Sequence, residues 1–260
     1  MRKFELRPYN VEYPKIFEEY AKECSLGSRN GFYNNLKQIY HIGSSSVPGL
    51  ISKPIIDIIC VVNDLKNISE PILKLGYIGK GELNIPLRLY FERDDKVHVH
   101  VMLEDCGEIK WNLMFRNYLL EHKDAREKYS SVKLDLVKKY PNGFPRQKNS
   151  ISEYTIKKSE VILDILKKAG FDGIKFVIGT NENEIGECKK LLGDIDFKEN
   201  YYKLCLYKGF EINSAAYIEL VENELIIRKI NGKDEEVVNI LNKKIKQWAD
   251  FHGWKLVIKK

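Results

Sequence analysis

One carboxylate stands where the sequence makes it costly. Asp57 interrupts the apolar run Ile55, Ile56, Ile58, Ile59, Val61 and Val62, which reads as a central strand buried on both faces. An ionised carboxylate in such a strand needs a metal, a cation or several donors. Upstream, the short apolar approach Ile39, Tyr40 and Ile42 ends at Gly43, Ser44, Ser45 and Ser46. A Gly-Ser turn of this kind can open a loop or helix start whose backbone N–H groups favour anions, and its hydroxyls can join them or simply cap the turn. Lys53, just before Pro54, can contact a phosphate or remain solvated.

A second chemistry-bearing stretch is VHVHVML, Val97 to Leu103. On a strand, His98, His100, Met102 and Glu104 share one face and Val97, Val99, Val101 and Leu103 the other. If this strand pairs with that of Asp57, two histidines and an aspartate can bind a transition metal, since imidazole suits zinc, manganese or iron. Alternatively one histidine acts as general base on an attacking hydroxyl. The plainer reading is a pair of hydrogen-bonded fillers on a half-exposed sheet face.

The elements that must position these residues follow from periodicity and punctuation. A helix is expected from about Pro14 to Cys24, a loop from Leu26 to Gly31, and a second helix from about Phe32 to Gln38 leading into the Gly-Ser turn. After the Asp57 strand come a helix near Ser69 to Leu75 and the glycine-rich stretch Gly76 to Glu82, which lacks a Gly-Lys-Ser/Thr and is therefore a turn rather than a P-loop. Leu87 to Phe91 and Val97 to Leu103 read as a β-hairpin across Arg93 to Lys96. Helices are expected from Ile109 to Glu121 and Lys123 to Lys139, with Leu113, Tyr118, Leu119, Leu134 and Val137 as core contacts. A long loop, Tyr140 to Ser152, precedes a helix from Ser152 to Lys168 that ends at Ala169 and Gly170.

The remainder reads β-α-β-β-β-α-β, with Val237, Ile240, Leu241, Ile245 and Trp248 on one stripe of its long helix. It carries no constellation that points to catalysis. The expected class is α/β in the α+β sense: a domain over 1–169 with a mixed sheet and flanking helices, then a smaller accessory α+β domain over 170–260.

Composition narrows the function classes. With 43% hydrophobic and 31% charged residues in 260, the chain falls in the globular class with one to two domains. Its N-terminus has no apolar signal-like region, and no stretch approaches the roughly 18 apolar residues of a membrane span, so a cytoplasmic, membrane-free protein is expected. The five cysteines are scattered without a C-x-x-C pair, against a disulfide framework or a zinc finger. A net charge of +6, spread along the chain, suits a polyanionic small molecule; nucleic acid is possible but not indicated.

The run HIGSSSVPGLISKPIIDI, His41 to Ile58, resembles the signature of the GrpB family, usually placed in the nucleotidyltransferase superfamily. YF at Tyr90 and Phe91, HVHV at His98 to Val101, FRNYL at Phe115 to Leu119 and YTIKK at Tyr154 to Lys158 follow in family-like order. The resemblance covers roughly the first two-thirds of the chain and stops near Gly170. It implies a nucleotidyltransferase-like sheet and a nucleoside triphosphate or other phosphorylated ligand. It also implies basic binding positions at Arg88, Arg116 and Lys158, where arginine suits bidentate phosphate contacts; the divalent metal expected, magnesium or a transition metal, falls on Asp57, His98 and His100 from the strand pattern above. The superfamily holds its metals on an Asp-apolar-Asp pair; here Asp57 takes the second position and Ile55 the first. Two readings therefore stand: a nucleotidyltransferase with an unknown acceptor, or a catalytically degenerate module that binds nucleotide or assists a partner protein. In some relatives a GrpB-like domain is fused to a dephospho-coenzyme A kinase and supports its folding.

Overall fold

The computed structural model describes residues 5–26, 35–140 and 153–258, apart from 194, 197 and 199. The expected loop after Leu26 and the long loop over 141–152 lie outside the described residues. The chain divides into two compact units: 1–81 with 89–104 and 109–171, and 82–88 with 105–108 and 172–260. Both are mixed α/β, each built on one five-stranded sheet.

In the first unit, α1 (Tyr13–Leu26) precedes β1 (Leu36–Ile42), and a single 3-10 turn (Ser44–Ser46) leads to β2 (Ile56–Val62). The short α2 (Ser69–Lys74) and edge strand β3 (Ile78–Gly79) are followed by β4 (Arg88–Arg93) and β5 (Val97–Leu103). Three helices, α3 (Gly107–Glu121), α4 (Lys123–Lys139) and α5 (Glu153–Lys168), complete it. The sheet order is β1-β2-β5-β4-β3. β2 lies inside the sheet between β1 and β5, and Ile58, Ile59, Cys60 and Val62 are all fully buried, as a strand covered on both faces must be.

The helix expected over 32–38 is not formed where the chain is described: Leu36 to Ile42 is a strand, paired antiparallel to β2 with Ile39 opposite Cys60 and Ile42 opposite Asp57. Its Ile-Tyr-His-Ile end favours the pleated state, and the ladder with β2 overrides any helical preference of so short a segment.

The loop after the 3-10 turn is fixed by Val47 and Leu50, which pack with Leu119 of α3, Ala125 and Tyr129 of α4, and Val161 and Ile165 of α5. On α4 the buried stripe is Ala125, Tyr129, Lys133 and Leu136, spaced four, four and three as one helix face requires. Leu134, expected in the core, is instead 43% exposed, because that face places its neighbour Lys133 inward.

The second unit runs β6 (Ile174–Ile178), α6 (Glu182–Leu192), β7 (Tyr202–Lys208), β8 (Glu211–Val221), β9 (Glu224–Gly232), α7 (Glu235–His252) and β10 (Lys255–Ile258), in sheet order β10-β9-β8-β7-β6. The expected element order is the observed one. α7 buries Val237, Leu241, Ile245 and Trp248, starts at an Asp234 cap and ends at a left-handed Gly253. Among the described residues no helix is long and apolar enough to cross a membrane.

Candidate functional site

The pairing of β2 with β5 is parallel and sets Asp57 directly opposite His98. Residues opposite each other on one face can touch, and His98 Nδ1 lies 3.0 Å from Asp57 Oδ1. Both side chains are about three-quarters buried, 23% exposed for His98 and 28% for Asp57. Burial by itself raises the Asp57 carboxyl, but the His98 hydrogen bond and the positive charges of His98, His100 and Lys158 outweigh it and leave the group below its ordinary value. An ionised Asp57 can only accept, so His98 Nδ1 carries the hydrogen, and in the neutral ring the lone pair falls on Nε2.

Behind this pair stands the Gly-Ser turn. Gly43 has φ 72° and ψ −172°, a conformation essentially confined to glycine. A Cβ there would lie 2.4 Å from Asp57 Oδ2, so only glycine lets the turn close against the carboxylate. Ser46 Oγ donates to the Gly43 carbonyl at 2.7 Å. His41 anchors the turn from β1, stacked on Phe17 with ring centroids 4.7 Å apart and its Nε2 3.1 Å from Ser45 Oγ. Burial pushes the His41 imidazole down to about 4, against the opposing pull of Asp57 and with help from Arg116.

Ser44, Ser45, Asp57 and His98 line a cavity of about 200 Å³, closed by Leu6, Ser52, Lys53, Ile55, Lys133 and Lys158. Lys133 is only 1% exposed. Its Nζ donates to Ser44 Oγ at 3.2 Å and to the Ile51 carbonyl, and stands 4.6 Å from the centre of the Tyr129 ring. Burial chiefly, with the like charge of Lys158 second, lowers its amine to about 7. Three lysines thus face one carboxylate in a half-enclosed space, an arrangement that draws anions.

Of the residues singled out by sequence, Ser44, Ser45, Lys53, Asp57, His98 and Lys158 line this one cavity, and Gly43 backs it through Asp57. Three expectations are corrected. Arg88 does not line the cavity: it is 8% exposed and donates to the Glu82 carbonyl at 3.1 Å, because as the first residue of β4 it groups with the 82–88 segment. Arg116 is also not a lining residue; its Nη1 donates to the His41 carbonyl at 2.8 Å and its fork grips Asn117, so it braces the strand that carries the turn. His100 sits opposite Ile59, one same-face step beyond the Asp57–His98 pair, with its ring stacked on Tyr90 at 4.9 Å. That step is about 6.6 Å along a strand.

The expected metal set of Asp57, His98 and His100 is accordingly not assembled. Among the described residues no group of three His, Cys, Asp or Glu side chains could hold a metal ion. His98 spends Nδ1 on Asp57, His100 is displaced along the strand, and Ile55 gives the cavity wall an apolar side chain. The described residues therefore assemble no resident metal site.

Lys133 is the residue sequence reasoning missed. Its signal was the helical face itself: Ala125, Tyr129 and Leu136 mark the apolar side of α4, and Lys133 falls on it. A lysine on a buried stripe beside a serine turn is the α4 counterpart of an aspartate inside an apolar strand.

Comparison with known proteins adds the family. A sequence model described as GrpB protein matches residues 3–168. The chain belongs to the GrpB family. Among similar GrpB and UPF0157 proteins, YqkA of Bacillus subtilis is 32% identical over 167 residues, 62% of this chain and 46% of that protein. BH1888 of Halalkalibacterium halodurans is 31% identical over 170 residues, 63% of this chain and 81% of that protein. The chain thus spans just under half the length of the first and most of the second. A solved structure, the conserved protein GrpB from Enterococcus faecalis, superposes with a TM-score of 0.55 at 27% identity and covers 64% of this chain and all of its own. The GrpB match ends at residue 168 and leaves residues 172–260 of the second unit outside the family region.

Proposed function

We propose that the cavity binds the phosphates of a nucleoside triphosphate or a related phosphorylated small molecule, and that the protein transfers a nucleotidyl group to a hydroxyl acceptor. The observation that carries this reading is the meeting of Lys53, Lys133, Lys158 and the Ser44–Ser45 turn with the Asp57–His98 pair around one space. At about 200 Å³ that space is smaller than the roughly 300–1,000 Å³ of a site for a whole drug-sized ligand. It therefore suits the phosphates, with the nucleoside outside. In the transfer, the acceptor oxygen attacks the α-phosphorus and its proton passes to His98 Nε2. The new O–P bond forms as the α–β bridging bond breaks, and pyrophosphate leaves. Asp57 holds the His98 tautomer and stabilises the imidazolium that results.

A thermal-shift screen of nucleoside triphosphates, tripolyphosphate and nucleosides, each with and without magnesium, tests it. Occupancy at about one hundred times Kd stabilises the fold by about 2.7 kcal/mol, so a phosphorylated ligand should raise the midpoint by several degrees while nucleosides do not. No shift with any phosphate contradicts the proposal.

One observation favours a second reading. Ile55 lines the cavity where the nucleotidyltransferase pattern has its first acid, which suits a degenerate module that binds nucleotide or assists a partner such as a dephospho-coenzyme A kinase. Stabilisation by nucleotide without pyrophosphate release toward any hydroxyl acceptor would select that reading.

A further inference from the structure

We propose that Lys133 is a proton-linked anion anchor: it tethers the serine turn in the empty cavity and takes up one proton when a phosphate enters. The inference rests on the phosphate-binding reading above and adds what the site does with charge when it fills.

The geometry is that of a cation without a counter-ion. Lys133 Nζ is enclosed, and its contacts are the Ser44 hydroxyl, the Ile51 carbonyl and the Tyr129 ring. Among the described residues no carboxylate pairs with it. The charged and titratable groups that face the same space come from every wall: Lys158 from α5, Lys53 from the approach to β2, Asp57 from β2 and His98 from β5. Tyr129, on the same helix, is hydrogen-bonded to Ser44 and has its phenol raised by burial. Asp57 already has His98 as its partner. An ammonium in this position has lost water without gaining an opposite charge, and Lys158 adds repulsion.

A phosphate oxygen entering beside Ser44 supplies the missing charge. It favours the ammonium form, so a proton passes from solvent to the Lys133 amine as the anion binds. Lysine suits this role because it can shed its charge in the empty site, whereas arginine would remain a buried cation throughout. Anion affinity should then fall as the pH rises past the point where the empty-site amine is neutral, by about tenfold per pH unit for one linked proton.

The test is calorimetric titration of the full chain with ATP between about pH 8 and 9.5, where the terminal phosphate, with its second pKa near 6, is fully ionised. Each titration is run in two buffers of different ionisation heat, which reads proton uptake directly. The wild type should take up about one proton per ATP and lose about tenfold in affinity per pH unit. Lys133→Arg, checked for folding by its melting curve, should bind with no linked proton. ATP binding with no proton uptake in the wild type, or uptake unchanged in Lys133→Arg, overturns the anchor and leaves the phosphate site standing. Absence of ATP binding across the whole pH range overturns both.

Discussion

Replacing Gly43 by alanine probes the closest approach in the site. The added Cβ would meet Asp57 Oδ2 at 2.4 Å, Cγ at 3.0 Å and Cβ at 3.1 Å. Asp57 cannot yield easily, since its backbone is paired to β1 on one side and β5 on the other. Two costs follow. Holding alanine at φ 72°, ψ −172° costs about 1–3 kcal/mol. Pushing the carboxylate off His98 forfeits a charge-assisted hydrogen bond of about 1.5–3 kcal/mol. Together they make about 2.5–6 kcal/mol, a large part of the ~5–15 kcal/mol of an ordinary domain.

Gly49 is the control: its φ is also positive, +79°, but a Cβ there meets nothing within 4 Å, so Gly49→Ala should cost only the backbone share, about 1–2 kcal/mol. Urea denaturation of the two variants gives the comparison. A third arm places Gly43→Ala in an Asp57→Ala background, where the obstructing carboxylate is gone and the penalty should shrink toward the Gly49 value. If Gly43→Ala is no more destabilising than Gly49→Ala, or if its cost is unchanged without the Asp57 carboxylate, the packing of the turn against Asp57 is refuted.

Three further outcomes follow from the same geometry. Asp57 titrates below its ordinary value of 3.8 in the fold, so it adds stability above that pH that is lost as the pH falls through the folded value; the melting temperature of wild type should lose ground to Asp57→Asn below about pH 4, and parallel curves would contradict this. Lys133 is lowered from 10.5 to about 7, so between those values the unfolded chain binds the extra proton and stability rises with pH. In anion-free buffer wild type should therefore gain on Lys133→Met across that window, and a constant difference would be the wrong result. Arg116→Ala removes the donor to the His41 carbonyl and should cost about 1–3 kcal/mol in urea denaturation; a loss below about 0.5 kcal/mol would mean that Arg116 does not brace β1.

The parts of the site that the sequence displayed are those where residue type conflicts with local pattern. Asp57 inside an isoleucine run and histidines alternating with valines define two strands and one polar face, and the structure brings Asp57 and His98 together through their parallel register. Position along that face is a different matter: periodicity puts His98 and His100 on one side but cannot tell which stands opposite Asp57, and the metal set depended on that register. Arg88 and Arg116 are expected at the phosphates from the family resemblance, whereas Arg88 donates to the Glu82 carbonyl and Arg116 to the His41 carbonyl and the Asn117 side chain. Leu36 to Gln38, the first part of β1, reads as the end of a helix because its pairing partner lies across the turn, outside any local window. Lys133 shows the converse: its helical face was legible, and the bias that lysines point outward hid it.

A crystal structure of the full chain with a non-hydrolysable nucleoside triphosphate analogue tests the central claim most directly. The account predicts phosphate oxygens within hydrogen-bond distance, about 2.7–3.2 Å, of Ser44 or Ser45 and of Lys133 Nζ, with the Asp57–His98 pair intact and the nucleoside outside the cavity. An analogue bound away from these residues, or a cavity holding only water at saturating ligand, would contradict it.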